Sequence, residues 1–506
     1  VLLPSDCIAM VIVTLFASYF VRLWCLASAD GIIMQQGSTN SDYPTAIVLA
    51  NGFPVIAGYT YDNFPGMTLS GANDAIVVKY NLDGTVAAIT TFATTLYDEI
   101  RASTIDDSAN LYLVGQTTGS LNGTNAGSWD VWIGKVDSNL NQVWLVQTGT
   151  TSYDYLYAVA IDSSGKVIVG GTSAGTWPDQ TQLGNDDAFI MQYDSDGNRQ
   201  WVIQFGSAED DCVNGIAVDT VDSVDDIYAT GSSSGIFEGH TSYSGGNDIF
   251  LIKVSSTGTK DWSVLVGASS VVSNDEGYAV VVDSARNIYV SGFTNDQLPG
   301  ATSLGSTDGF LMKYDKDGVQ QWLIQIGSAG ADYAYGLTID ANDYLYVALQ
   351  TDGTMGATNL GSTDIAVMQV NSASSIEWTE QFGTTSGEYL RGGPELAVDS
   401  AGDLFITGFT SGAFTNYTNQ GGNDWFLYKV EAKSTSTSSS STTSTVTSTG
   451  STTSSTTSSS TTSSSTTSST TSTSSSSTGS VTSTSTSSSS TASHTTSSSS
   501  TSSSSM

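Results

Sequence analysis

Apolar runs of about seven residues, each opened by an acid and bounded by Gly, Asn and Asp, recur along most of the chain. No stretch carries the 3.6-residue apolar stripe, or the capped Ala/Leu/Glu-rich window, of a helix. The runs open at Asp74, Asp130, Asp187, Asp248, Asp308, Asp364 and Asp424, with gaps of 56, 57, 61, 60, 56 and 60 residues. A second marker, Gly-x-Thr at the end of a β-rich run, closes at Thr60, Thr117, Thr172, Thr294, Thr351 and Thr410, with Ser233 in the fourth copy and Leu349 in place of the sixth glycine. A third marker is Trp followed five residues later by Gly: Trp144/Gly149, Trp201/Gly206, Trp262/Gly267, Trp322/Gly327 and Trp378/Gly383. Each period reads as four strands. In the fifth copy they are Tyr278–Asp283, Asn287–Thr294, Asp308–Tyr314 and Gln321–Gly327, joined by turns rich in Asp, Asn and Gly. Seven such units predict an all-β fold, a seven-bladed β-propeller of four-stranded antiparallel blades.

The seventh copy reaches its third strand at Trp425–Val430 and then runs into Ser and Thr, so its fourth strand is missing. Asp30-Gly31-Ile32-Ile33-Met34-Gln35-Gln36-Gly37 matches Asp317 to Gly327 when aligned on the glycine, with Ile32 at the Trp place. The N-terminal strand is therefore expected to close the last blade and join the ends of the ring.

In its pattern, Val280–Thr294 (VVVDSARNIYVSGFT) followed by Asp308–Gly327, the chain resembles the SBBP β-propeller repeat over roughly residues 31–431. That resemblance implies a propeller and an extracytoplasmic setting. It implies no catalytic residues. The first copy departs most, with Ala88 at the Trp position and Ala93 at the Gly position.

Two ends lie outside the repeat. Residues 8–21 are an apolar run of signal-peptide length, and Ala27-Ser28-Ala29 follows it as a small-x-small cleavage pattern. Residues 1–29 are read as a signal peptide, with an uncleaved N-terminal anchor as the alternative; Arg22 interrupts the run short of a bilayer span. In residues 434–506, 66 of 73 are Ser or Thr, too polar to bury a core. This tail is expected to be a disordered, low-complexity stalk that carries O-glycans or serves as a plain linker. The domain reading is thus 1–29 leader, 30–433 propeller, 434–506 stalk.

Residues 30–433 carry 48 acids against 13 bases, the whole net charge of −35. Such a surface repels phosphate backbones and anionic membranes, which argues against nucleic-acid partners. Membrane contact is expected only through an uncleaved N-terminal segment. Cys7 and Cys25 lie in the leader, leaving Cys212 alone, so neither a disulfide nor a Cys-based zinc site can form within the repeat.

Counting five residues on from each fourth-strand glycine gives Asp42, Asp98, Asp154, Asp211, Asp332 and Glu388, with Asp275 as the shifted equivalent in the fifth blade. Tyr43, Tyr97, Tyr155, Tyr278, Tyr333 and Tyr389 accompany them. Leading into the innermost strands, these acids and tyrosines are expected to ring one channel mouth. Carboxylates beside flat aromatic faces suit neutral sugars or cations; the structural alternative is that the acids satisfy loop amides. Asp194-Ser195-Asp196-Gly197 and Asp315-Lys316-Asp317-Gly318 read as hairpin turns, because a calcium loop needs further oxygen ligands. No cofactor is expected, and no metal site beyond Ca²⁺ at the acids. Asn122 and Asn416 open glycosylation sequons.

The function expected is a secreted or cell-surface, non-catalytic binding or adhesion module whose glycan, cation or protein ligand meets a monomeric propeller. The alternatives are a secreted carbohydrate-active hydrolase or lyase using the mouth acids, and a structural wall or matrix protein. The histidines, His240 and His494, form no recognisable catalytic set with Ser, Cys or metal ligands.

Overall fold

A computed structural model of the chain describes residues 31–433, apart from 222–224, 242–244 and 271. The expectations for residues 1–29 and 434–506 lie outside the described residues. The strands form seven antiparallel sheets, each a blade. Blade 1 runs Asp42–Ala50, Phe53–Thr60, Asp74–Tyr80 and Val86–Phe92. Blades 2 to 6 repeat this order, the first strand of each beginning at Asp98, Asp154, Asp211, Asp275 and Asp332. The seventh holds Leu404–Thr410, Asp424–Val430 and the broken first strand Glu388–Tyr389 plus Leu396–Val398.

The N-terminal strand Gly31–Gln36 pairs antiparallel with Asp424–Val430, so the ring is closed by its own beginning. The register differs in one detail from the sequence alignment. A bulge at Ile33 places Ile32 opposite Tyr428, so the Trp place, opposite Lys429, falls to Gly31.

The core is divided into seven apolar layers, one between each pair of neighbouring blades. Val77 and Trp132 meet between blades 1 and 2, and Ile56, Met34 and Trp425 between blades 7 and 1. The outer-strand tryptophans tie neighbours together: the indole N–H of Trp144, Trp201 and Trp322 donates to Ser195 O, Ser256 O and Ser372 O of the following blade at 2.9–3.2 Å.

Each repeat marker has a mechanical reason. Asp308 accepts the N–H of Leu304 and Gly305 and the side-chain amide of Gln325, all at 2.7–2.8 Å. Asp130, Asp187 and Asp424 do the same with Gln147, Gln204 and Gln35. The Gln of W-x-x-Q-x-G thereby holds the acid that caps the Gly-rich turn. Asp194 and Asp315 cap their hairpins by accepting the N–H of Asn198 and Val319, as the turn reading requires. In Gly-x-Thr the glycine allows close approach: a Cβ on Gly115 would collide with Glu99 O. Its hydroxyl partner is shifted in blade 3, where Ser173 rather than Thr172 stands opposite Asp154.

Candidate functional site

The seven acids expected at the mouth are 0–1 % exposed and do not present their carboxylates to the opening. They brace the loops between blades. Asp154 accepts the N–H of Thr150 at 2.6 Å and the hydroxyls of Thr150 and Ser173. Asp98 is bound in the same way by Thr94 and Thr117, and Glu388 by Thr384 and Thr410. Asp42, Asp211, Asp275 and Asp332 take the N–H of Ser38, Ser207, Ala268 and Ser328 at 2.6–2.7 Å.

Asp42, Asp154 and Glu388 face the turn acids Asp424, Asp130 and Asp364 of the neighbouring sheet across the fourth-strand glycines Gly37, Gly149 and Gly383. A Cβ on Gly149 would strike the carboxylate of Asp130 and come within 3.1 Å of that of Asp154. No side chain fits between these two at Gly149. This pairing was hidden from the sequence because it joins different blades.

Burial raises the pKa of all seven, helped in most by the facing acid; Asp42 and Asp211 are pushed up to about 6. The folded state therefore binds more protons than the unfolded chain between about pH 4 and 6. The stability this costs at pH 7 is recovered as pH falls through 6. A carboxyl moved from about 4 to about 6 is worth up to roughly 3 kcal/mol. Exposed turn acids such as Asp137 and Asp194 are held below the usual range by their Asn141 and Asn198 bonds, and their contribution is lost only in stronger acid. Thermal stability should accordingly rise between pH 7 and about 5, and Asp211→Asn should flatten the rise. A melting temperature that falls over this interval would contradict the buried-acid geometry.

The channel lining follows from a different count. Three residues beyond each acid lie Thr45, Arg101, Tyr157, Asn214, Tyr278 and Tyr335, and each is skipped by the ladder to the second strand. A bulge at the same place in six blades turns these side chains toward the axis. Blade 7 enlarges the bulge into the excursion Leu390-Arg391-Gly392-Gly393-Pro394-Glu395. It crosses the axis: the N–H of Ile47 in blade 1 donates to Pro394 O at 2.9 Å, and Gly392 lies against the ring of Tyr278 in blade 5. The wholly buried Glu395 clamps it by accepting the N–H of Arg391 and Gly392, and burial pushes that carboxyl well above the usual range. The three-residue excess of Glu388–Asp399 over Asp332–Asp340 was the available signal.

Arg101, Tyr157, Cys212, Asn214, Glu276 and Arg391 are among the residues around a cavity of about 250 Å³, with a smaller apolar one of about 90 Å³ adjoining it. Arg101 pairs with Glu99 at 2.7 Å, and Gln116 also donates to Glu99 at 2.8 Å. Glu276 accepts from Asn247 at 3.1 Å and Tyr278 at 3.2 Å.

The expected tyrosines are brought to this region, in three aromatic groups. Tyr43 meets Tyr59, Tyr61 and Phe409, and Tyr389 stacks on Phe409. Tyr333 stacks on Tyr335, whose ring also meets Tyr278 edge-on. The third group is an arc over blades 2 and 3, where Tyr97, Trp129, Tyr155 and Tyr153 follow one another at 5.4–6.0 Å. Tyr97 is 43 % exposed. The Tyr153 hydroxyl donates to Asp186 at 2.7 Å, and that bond lifts its pKa to about 12.

The remaining candidates are scattered. His240 bonds with Ser263 at 3.1 Å on an outermost strand. Asn122 and Asn416 are both exposed, but the Asn122 amide donates to Leu145 O. Among the described residues no group of three His, Cys, Asp or Glu could hold a metal ion.

The chain is thus a seven-bladed propeller with an aromatic, excursion-crossed channel. No family model matches it. It is 24 % identical over 409 residues to the regulatory protein FlaEY of Caulobacter vibrioides, a match covering 72 % of this chain and 41 % of that protein. It is 22 % identical over 213 residues to an uncharacterized WD repeat-containing protein of Acanthamoeba polyphaga mimivirus, covering 34 % and 15 %. The chain therefore spans less than half the length of either relative. Among solved structures, it is similar to the periplasmic gluconolactonase of Pseudomonas aeruginosa (13 % identity, TM-score 0.45, 75 % of this chain and 99 % of that one). It is also similar to hydrazine synthase of Kuenenia stuttgartiensis (13 %, 0.43, 78 % and 97 %). None of these likenesses bears on the ligand.

Proposed function

We propose that this chain is an SBBP-type propeller, secreted or held at the cell surface, that binds an extracellular glycan without turning it over. The observation that carries the reading is the aromatic arc Tyr97–Trp129–Tyr155–Tyr153 beside the channel. Flat rings with polar edges serve a sugar, which offers C–H faces for stacking and hydroxyls for hydrogen bonds. The channel carboxylates argue for binding over chemistry. Glu99 is engaged by Arg101 and Gln116, and Glu276 by Asn247 and Tyr278, so neither stands free as an acid or base. The apolar leader and the Ser/Thr tail support display outside the cytoplasm.

A glycan array probed with the full chain, followed by product analysis, tests the proposal. Saturable binding with the glycan recovered intact is expected. Shortened products would replace the reading with that of a hydrolase or lyase, and an array without signal would end it.

A further inference from the structure

We infer that the channel site selects a sugar bearing a carboxylate, received by the guanidinium of Arg391 with Arg101 beside it. This deepens the glycan reading and rests on it.

The described residues place their other lysines and arginines at or beside the turns on the face opposite the mouth, as with Lys166, Lys316 and Lys429. Arg101 and Arg391 alone enter the channel, and both border the 250 Å³ cavity. Arg101 is already paired with Glu99. Its Nε–H is nevertheless buried without an acceptor. Arg391 is exposed, and among the described residues it has no carboxylate within ion-pair distance, although the chain has 49 acids. Its charge is felt by the buried Glu395 carboxyl, but no ion pair closes on the guanidinium, so an incoming anion meets attraction there.

Its orientation is set in advance. The guanidinium lies 4.3 Å from the centre of the Tyr43 ring, and one Nη donates to the Tyr59 hydroxyl. The backbone behind it is fixed by Glu395. A guanidinium held over a ring in this way keeps donors for a carboxylate, in the fork geometry that a lysine ammonium cannot reproduce. The tyrosines around it supply faces for the ring carrying the carboxylate. The cavity lies below the ~300–1,000 Å³ of pockets for drug-sized ligands, which suits one sugar unit at a time.

Calorimetric titration of the full chain with D-glucuronic acid, D-glucose and acetate tests the inference, with Arg391→Gln and Arg391→Lys alongside. Glucuronic acid should bind at least tenfold more tightly than glucose or acetate. Arg391→Gln should bring glucuronic acid down to the affinity of glucose, with the melting temperature measured alongside as the check on folding, and Arg391→Lys should restore only part of the preference. Equal binding of the two sugars, acetate binding as tight as glucuronic acid, or a preference that survives Arg391→Gln would overturn the inference and leave the glycan reading standing. Absence of binding to any sugar, here and on the array, would sink both.

Discussion

Removing residues 31–36 should open the ring. Met34 is 4 % exposed in the layer between blades 7 and 1, and Ile32 and Ile33 are half-buried. At about 1.5–3 kcal/mol for a fully buried apolar side chain, and about half that for each of the two isoleucines, the strand contributes roughly 3–6 kcal/mol. Polar losses add to this. Asp424 would lose the amide donor of Gln35, and the Phe414 N–H and Tyr417 hydroxyl would lose their acceptors Gln35 Oε1 and Ile33 O. The melting temperature should fall by on the order of 10 °C. The bared edge of Asp424–Val430 should recruit other copies, so the truncated protein should elute as oligomers. Melting and elution like those of the uncut chain would refute the closure.

Asp308→Ala is expected to be strongly destabilising. The substitution leaves the N–H of Leu304 and Gly305 without their acceptor and removes one of the two acceptors of the Gln325 amide, which keeps Asp296 O. Each buried donor left unpaired costs about 1–3 kcal/mol, and the loop can recover part of that with water. A net loss of about 3 kcal/mol follows. Replacing the exposed Asp317 by Ala should leave stability nearly unchanged, because its carboxylate pairs with the neighbouring Lys316 at the surface. Chemical denaturation of the two variants separates the roles; equal losses would mean that the repeat acid is not a brace.

The blade count and the closing strand were legible because both are written as periodicity, in Asp, Gly-x-Thr and Trp-x₅-Gly. The register of the clasp was not, since the bulge at Ile33 has no marker of its own. Tyr43, Tyr155, Tyr333 and Tyr389 do gather near the channel, but the regular acids do not face it. Regularity was the misleading signal: a residue repeated in every blade answers a need every blade has, here the amide of Ser38, Thr94 or Thr150. Positions lining the channel vary from blade to blade. At the bulge they read Thr45, Arg101, Tyr157, Asn214, Tyr278, Tyr335 and Arg391, a set that no repeat search collects. Their shared feature is geometric, a side chain skipped by the strand ladder.

The measurement that bears most directly on this account is binding of an array-identified glycan to the double variant Tyr97→Ala/Tyr155→Ala, read together with its melting temperature. If the arc is the docking surface, affinity should fall at least tenfold while the melting temperature stays within a degree or two of the unaltered chain. Unchanged affinity, or a loss of binding matched by a loss of folding, would mean that these rings are packing and that the ligand, if there is one, is held elsewhere.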